Sequence, residues 1–371
     1  MSISLTAEQD EFVSALRAAF AKASPIEAVL SAAEEPCTRS DANSWAVAVA
    51  MGVPELGALA DGTLLDLALA VEEAAYAVLP GTVLAHGLAV RLAGRCSEAP
   101  FVADLTSGRR RASICVERQH TMLSARRSGD GWVLAGSLSF VLEGHTADLL
   151  LVRADGPDGP LVLALTDLGD AVQPVDTFDP SRGWARVGLD AVTVPDSAVL
   201  ATGDVAARAL DTTLVEGAVL VAFDAAGSSR RTLDDAIEYA RQREQFGRPI
   251  GSFQAVKHLL VDAHVAVDEL QAASRYAAWA VDVDASDVGF AVHAAKALAG
   301  QIHPSVAATA VQVLGGIGFT RELPAHLHVK RAQVDDRMFG SAAEHRRGVL
   351  ATFGEVRDSW SAAAGAHDKG N

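Results

Sequence analysis

Residues 239–254 read Tyr239-Ala240-Arg241-Gln242-Arg243-Glu244-Gln245-Phe246-Gly247-Arg248-Pro249-Ile250-Gly251-Ser252-Phe253-Gln254. In local terms this is a long helix ending at Phe246: Gly247 can take the left-handed C′ conformation, and Pro249 forbids continuation. Arg241 and Arg243 in the last turn meet the negative end of the helix dipole. Upstream, Leu210, Leu214, Gly217, Val221 and Ala225 recur at spacings of four, three, four and four, which is one face of a helix beginning near Gly203. Downstream, one helix is expected from Ser252, as its N-cap, to about Val281, and another from about Asp287 to Leu314, bent or divided by Pro304. A last helix starts at Pro324, suitably placed at N1, and runs through the Phe353 region. Long helices joined by short glycine- or proline-marked turns predict an antiparallel four-helix bundle over residues 203–371.

Two other textures precede the bundle. Residues 1–100 are alanine-rich and apolar at helical spacing, punctuated by Pro25, Pro36, Pro54 and Pro80, and predict an N-terminal helical domain. Residues 101–202 hold short branched runs, Ala112 to Val116, Trp132 to Ala135, Leu149 to Val152 and Leu161 to Leu165. Ser128-Gly129-Asp130-Gly131 and Gly156-Pro157-Asp158-Gly159 separate them as turns, so a middle antiparallel β-domain is expected and the fold class is α+β.

Composition narrows the function. The chain has 371 residues, 50% of them hydrophobic, and a formal charge of −16, which repels a phosphate backbone and disfavours nucleic-acid partners. Its most apolar stretch, Ala74 to Val90, is broken by Pro80, Gly81 and His86 and is too short to span a bilayer. Met1 to Phe20 carries Glu8, Asp10 and Glu11, the reverse of an export signal, and Cys37, Cys96 and Cys115 form neither a CxxC pair nor an even set. A reducing, cytoplasmic setting is expected. His326 and His328 lack a ligand partner at metal spacing and read as surface or interface residues.

The stretch around Arg243 resembles the helix-helix turn of acyl-CoA dehydrogenases: arginine, a spacer, a polar residue, phenylalanine, glycine, then phenylalanine-glutamine. Arg243, Gln245, Phe246, Gly247, Phe253 and Gln254 carry the match. The resemblance implies that Arg243, Gln245, Phe246 and Gln254 line the pyrophosphate and adenosine of FAD held by a neighbouring subunit; an arginine fork suits phosphate. Gln312-Val313-Leu314-Gly315-Gly316-Ile317-Gly318-Phe319-Thr320 resembles a second signature of the family, also placed against the neighbour's FAD, with Gln312, Gly315 and Gly316 approaching the cofactor. Gly131-Trp132-Val133-Leu134-Ala135-Gly136 followed by Ala147-Asp148-Leu149-Leu150-Leu151-Val152 looks like the family's middle-domain hairpin. The implied activity is α,β-desaturation of an acyl-CoA thioester, with an electron-transfer flavoprotein as the family's acceptor.

Departures from the family pattern fall where the chemistry would be. The family's catalytic carboxylate often precedes a Gly-Thr pair; ungapped reading from Gln312 puts Phe339 there, followed by Gly340 and Ser341, the latter a further candidate cofactor contact. Other members carry the base on the first bundle helix, and counting back from Phe246 reaches Glu216 and Gly217. Glu216 is the one weak candidate for a catalytic base, offset by one residue, a rotation of roughly 100°. The acidic Gly-Ser-Asp loop expected after the first strand is missing from Ile114-Cys115-Val116-Glu117-Arg118-Gln119-His120. The hydroxyl of the family's Trp-Ile-Thr/Ser motif falls on Leu142 of Phe140-Val141-Leu142. Phe178-Asp179-Pro180-Ser181-Arg182 resembles a turn near the acyl-CoA path, where Arg182 could meet a phosphate; an ordinary Asp-Pro turn is the alternative. This pattern resembles the base-poor subunit of actinobacterial heteromeric acyl-CoA dehydrogenases, including those acting on steroid side-chain thioesters, in which a paralogous subunit completes the site. A self-sufficient homomeric enzyme and a non-catalytic assembly paralogue are the alternatives.

Overall fold

The computed structural model describes residues 4–34, 42–60, 62–96 and 100–367, beyond residue 354 by backbone alone; Pro36 and Cys37 lie outside it. Helices α1 (Ala7–Ala23), α2 (Ile26–Ala32), α3 (Ala42–Ala50), α4 (Leu64–Tyr76), α5 (Thr82–Cys96) and α6 (Pro100–Thr106) come first. A capping box opens α1: Gln9 N–H donates to Thr6 Oγ1 at 3.2 Å while Gln9 Oε1 accepts Thr6 N–H at 3.1 Å. The apolar run Ala74 to Val90 is the end of α4, a turn and most of α5, packed into the main core except Val78, which clusters with Val29 and Leu327.

Eight strands follow: β1 (Ala112–Cys115), β2 (Thr121–Ser128), β3 (Gly131–Leu142), β4 (Leu149–Gly156), β5 (Gly159–Leu165), β6 (Val172–Pro174), β7 (Trp184–Pro195) and β8 (Val199–Thr202). Both turn signals close hairpins, with Ser128 paired to Gly131 and Gly156 to Gly159. The sheet runs β6-β7-β3-β2-β4-β5-β8, with β1 against β4. It is mixed, not purely antiparallel: β1 and β4 are parallel, Ala112 opposite Leu149 through Cys115 opposite Val152. β1 is buried along its whole length, as a parallel strand covered on both faces requires.

The remainder is helical: α7 (Gly203–Gln242), α8 (Gln254–Asp282), α9 (Val288–Leu314), α10 (Ala325–Asp335) and α11 (Ala342–His367). Glu72 and Glu73 on α4 bind Arg230 of α7 at 2.8 and 2.7 Å, and Arg17 of α1 meets Glu73 at 2.9 Å, tying the N-terminal helices to the bundle. A Cβ on Gly227 would lie 2.0 Å from the Glu72 carbonyl oxygen, so glycine is required where α7 crosses α4. Val288–Phe319 is the one stretch among the described residues long and apolar enough to cross a bilayer, and here its helix packs on α7, α8, α10 and α11.

Four local expectations are corrected. α7 stops at Gln242, not Phe246, because Glu244–Gln245 and Arg248–Pro249 pair as a short antiparallel ladder, β9 and β10. Its tip, Phe246 (φ 53°) and Gly247 (φ 77°), has two left-handed residues, the requirement of a type I′ hairpin turn. Ser252 does not cap α8; Phe253 occupies that position without a side-chain bond. Pro304 sits inside α9 without dividing it. The last helix is two, broken where Phe339 (φ 52°) and Gly340 (φ 93°) turn left-handed and Ser341 starts α11.

Candidate functional site

A cavity of about 740 Å³ lies between the end of β1, the end of β3, the start of β7 and the α10–α11 turn. Leu84, Ile114, Phe140, Leu142, Trp184 and Met338 make its walls largely apolar. Three rings step along one side: His120 meets Phe140 edge-on at 5.5 Å, and Phe140 meets Trp184 at 6.4 Å. Trp184 is 6% exposed, and its Nε1–H makes no hydrogen bond among the described residues.

The turn between α10 and α11 is held on every side. Lys296, fully buried on α9, donates to the carbonyls of Asp335 at 3.0 Å and Gly340 at 2.8 Å. His345 Nε2 lies 2.8 Å from the Phe339 carbonyl, and Asp336 Oδ1 accepts Ala342 N–H at 2.9 Å. Ser341 caps α11 reciprocally with Glu344: its N–H and Oγ–H donate to Glu344 Oε2, each at 2.7 Å, and Oγ accepts Glu344 N–H at 3.3 Å. These bonds hold the Glu344 carboxyl below its usual range. Ser341, a candidate cofactor contact, therefore lines the cavity while serving as a helix cap.

Both places that family resemblance implies for a base lie together. A Cβ on Gly217 would stand 2.4 Å from the Phe339 ring, so the ring occupies the space over α7 that a side chain at 217 would fill. Neither residue can accept a proton. Glu216 points elsewhere: fully buried, it accepts from Arg91 Nε at 2.7 Å and from the Arg95 guanidinium, with Nη1 at 2.8 Å. It does not line the cavity. The weak base candidate is thus corrected to an ion-paired strut between α5 and α7, as its one-residue offset around the helix dictates.

The cavity does hold a carboxylate that sequence reasoning passed over. Glu117, in the short link from β1 to β2, accepts Phe339 N–H at 2.9 Å and the Gln119 side-chain amide at 3.1 Å, both on Oε1. Burial pushes its acid up to about 7, against the opposing pull of those bonds and of Lys296. No local signal marked it, because its partner Phe339 is distant in sequence.

Beneath the cavity lies a buried polar network. Arg182, 2% exposed, binds Asp224 at 2.6 Å and Asp335 at 2.7 Å, and Arg331 binds Asp224 at 2.7 Å. Arg182 therefore cannot meet a ligand phosphate; the Asp179 turn carries it into the protein, where Ser181 N–H bonds Asp179 Oδ1 at 2.9 Å. Although burial alone would raise it, Asp335 is held well below its ordinary value by Arg182 and His303. His303 Nδ1 is 3.2 Å from Asp335, its Nε2 2.9 Å from Ser228 Oγ, and that hydroxyl 2.8 Å from His328 Nδ1. His328 is thus buried, not a surface residue. Ser228, His303 and Asp335 have the order of a hydrolytic triad, but Ser228 is fully buried.

The proposed nucleotide contacts form a separate, outward surface. Arg243, Gln245, Phe246, Gln254, Gln312, Gly315 and Gly316 are all exposed, and Phe246 is 93% so. A small core of Ala236, Ala240, Ala310 and Val313, with Ile250 and Val256 against it, holds the β9–β10 hairpin beside the end of α9. The Arg248 guanidinium lies 4.1 Å over the Phe253 ring, and that of Arg243 makes no ion pair among the described residues. Gly315 (φ 65°) and Gly316 have open space where a Cβ would stand. Gln312 and Gly315 line a second cavity of about 550 Å³ that shares Phe178 and Gln333 with the first. Arg243, Gln245, Phe246 and Gln254 line neither.

Cys96 is half-buried and Cys115 buried, both free thiols, and no group of three potential metal ligands occurs among the described residues.

Helices, a mixed sheet and a helical bundle in this order form the acyl-CoA dehydrogenase fold: the ChsE4-ChsE5 complex from Mycobacterium tuberculosis superposes with a TM-score of 0.82 at 24% identity, covering 96% of this chain and 99% of that one. Residues 207–352 match the family model described as acyl-CoA dehydrogenase, C-terminal domain. The chain is 30% identical over 303 residues to acyl-CoA dehydrogenase IpdE2 of Mycobacterium tuberculosis, covering 80% of each. Against acyl-CoA dehydrogenase FadE34 of the same bacterium it is 32% identical over 302 residues, 81% of this chain but 40% of that longer protein. The chain belongs to the acyl-CoA dehydrogenase family.

Proposed function

We propose that this chain is one subunit of an FAD-dependent acyl-CoA dehydrogenase that forms an α,β double bond in an acyl-CoA thioester, and that it shares each flavin site with a related second subunit. One observation carries the reading. Arg243, Gln245 and Phe246 stand exposed at the β9–β10 hairpin with Gln254 just after it, all four outside this chain's own cavity, while Phe339 and Gly217 hold the two expected base positions.

The residues present fit FAD. Arg243 offers an exposed guanidinium fork for the pyrophosphate, Gln245 and Gln254 offer amides, Phe246 a flat apolar face for adenine, and Gly315 and Gly316 an open backbone. Bound flavin would supply the acceptor for a hydride from the thioester β-carbon. This chain's residues bind the nucleotide, exclude water with an apolar cavity and orient the acyl chain. The likeness to a two-component complex supports heteromeric assembly. An electron-transfer flavoprotein as acceptor, a steroid side-chain thioester as substrate and a cytoplasmic setting complete the proposal.

The chain should be purified alone and co-expressed with related subunits, and flavin per protomer and turnover measured. Low flavin and no turnover alone, with both recovered on pairing, is the expected result. Full flavin and full turnover by the isolated chain would overturn the shared site, and no flavin in either preparation would overturn the flavoprotein reading.

A further inference from the structure

The acyl-CoA reading leaves the cavity without a proton acceptor at either family position, yet one carboxylate in its wall has unused capacity. Glu117 takes both its hydrogen bonds on Oε1, leaving Oε2 without a partner among the described residues. A carboxylate oxygen left without a hydrogen bond in a largely apolar wall can take a proton from a molecule bound there.

We propose that Glu117 is the proton acceptor of this cavity, taking the α-hydrogen of a bound acyl-CoA thioester on Oε2. This rests on the reading that the cavity takes an acyl-CoA. In the step the Cα–H bond breaks, its electron pair stays on the thioester as the enolate, and the proton passes to Glu117. Reversal with a solvent-derived deuteron restores the C–H bond as C–D, so exchange needs no oxidant.

The surroundings suit this role. Phe339 N–H and the Gln119 amide fix the carboxyl group without satisfying both oxygens. Around it, Lys296 is buried and drawn below its usual value by desolvation, and Glu344 stands at the cavity wall tied to Ser341. His120, Arg337 and Arg347 also line the wall, and burial lowers His120 from its usual range. Burial that raises Glu117 to about 7 makes its carboxylate a stronger base than an exposed glutamate, and ionised only as pH passes that value.

The test uses the full chain, alone and assembled, with 3-thiaoctanoyl-CoA, whose sulfur at the β-position leaves no hydride to lose. Binding is followed by calorimetry and α-hydrogen exchange in D₂O by mass spectrometry. Glu117→Gln keeps an oxygen for Phe339 N–H and removes the basic site. The expected result is wild-type exchange that rises through about pH 7, with exchange reduced at least about 100-fold in Glu117→Gln and binding within about threefold. Glu117→Asp should recover part of the exchange with the same pH rise. Unchanged exchange in Glu117→Gln with binding intact overturns Glu117 and leaves the acyl-CoA reading standing. Loss of both binding and exchange in the Gln and Asp variants assigns Glu117 to the framework and also overturns the proposal. Failure of the wild-type assembly to bind the thioester overturns both readings.

Discussion

Replacing Glu216 by glutamine separates a structural carboxylate from a catalytic one. Glu216 is fully buried and neutralises Arg91, 6% exposed at its side chain, and Arg95, 19% exposed. Removing one member of such a pair strands charge in a desolvated place, at a cost of roughly 3–5 kcal/mol. Glutamine keeps one carbonyl acceptor and Arg95 has some access to water, so the lower end, about 3 kcal/mol, applies. For large domains each kcal/mol moves the melting temperature by about 2–4 °C, giving a fall of roughly 6–12 °C. Differential scanning calorimetry of the assembled enzyme reads this directly, and turnover is measured well below the transition. The expected pattern is a large thermal loss with near-normal kcat in molecules still folded. A melting temperature within about 1 °C of wild type, with turnover abolished, would refute the strut and restore Glu216 as the base.

Three further outcomes follow from packing and charge. Gly217→Ala drives a methyl into the Phe339 ring and should destabilise by about 1–3 kcal/mol, largely relieved in Gly217→Ala/Phe339→Ala, as urea unfolding will show. Phe246→Asn removes an aromatic residue from a left-handed position where its ring is 93% exposed; the chain should gain about 0.5–1 kcal/mol in thermal stability and lose flavin affinity once assembled. Asp335 has its pKa depressed in the fold, so its stabilisation is present above its unfolded value and is lost as pH falls toward the lower folded one. Arg182→Met should therefore lower stability at neutral pH and move acid unfolding, followed by circular dichroism, to higher pH.

Local chemistry made much of the architecture legible. Gly156-Pro157-Asp158-Gly159 and Ser128-Gly129-Asp130-Gly131 are turns whatever surrounds them, and both close hairpins. The apolar stripe through Leu210 and Val221 is the buried face of α7. The break before α11 was also readable: Ser341 followed by Glu344 is a capping box inside what looked like one helix. What stayed hidden depends on long-range contacts. That β1 runs parallel to β4 follows from a crossover, not from β1 itself. The Phe246 turn looks like a helix end until Arg248 and Pro249 fold back on Glu244 and Gln245. Glu117 gains significance only when the fold brings the Phe339 amide to it, and His328 looked like a surface residue until α7 and α9 placed Ser228 and His303 around it.

The central claim is that this chain's β9–β10 hairpin holds a nucleotide belonging to a site completed by another subunit. Flavin content of the heteromeric enzyme carrying Arg243→Ala in this chain alone tests it most directly, with the partner left intact and assembly checked by light scattering. The account predicts an intact oligomer that has lost most of its FAD, because one charge-assisted phosphate contact is worth about 1.5–3 kcal/mol, or roughly 10- to 150-fold in affinity. Undiminished FAD at limiting cofactor concentration would contradict it.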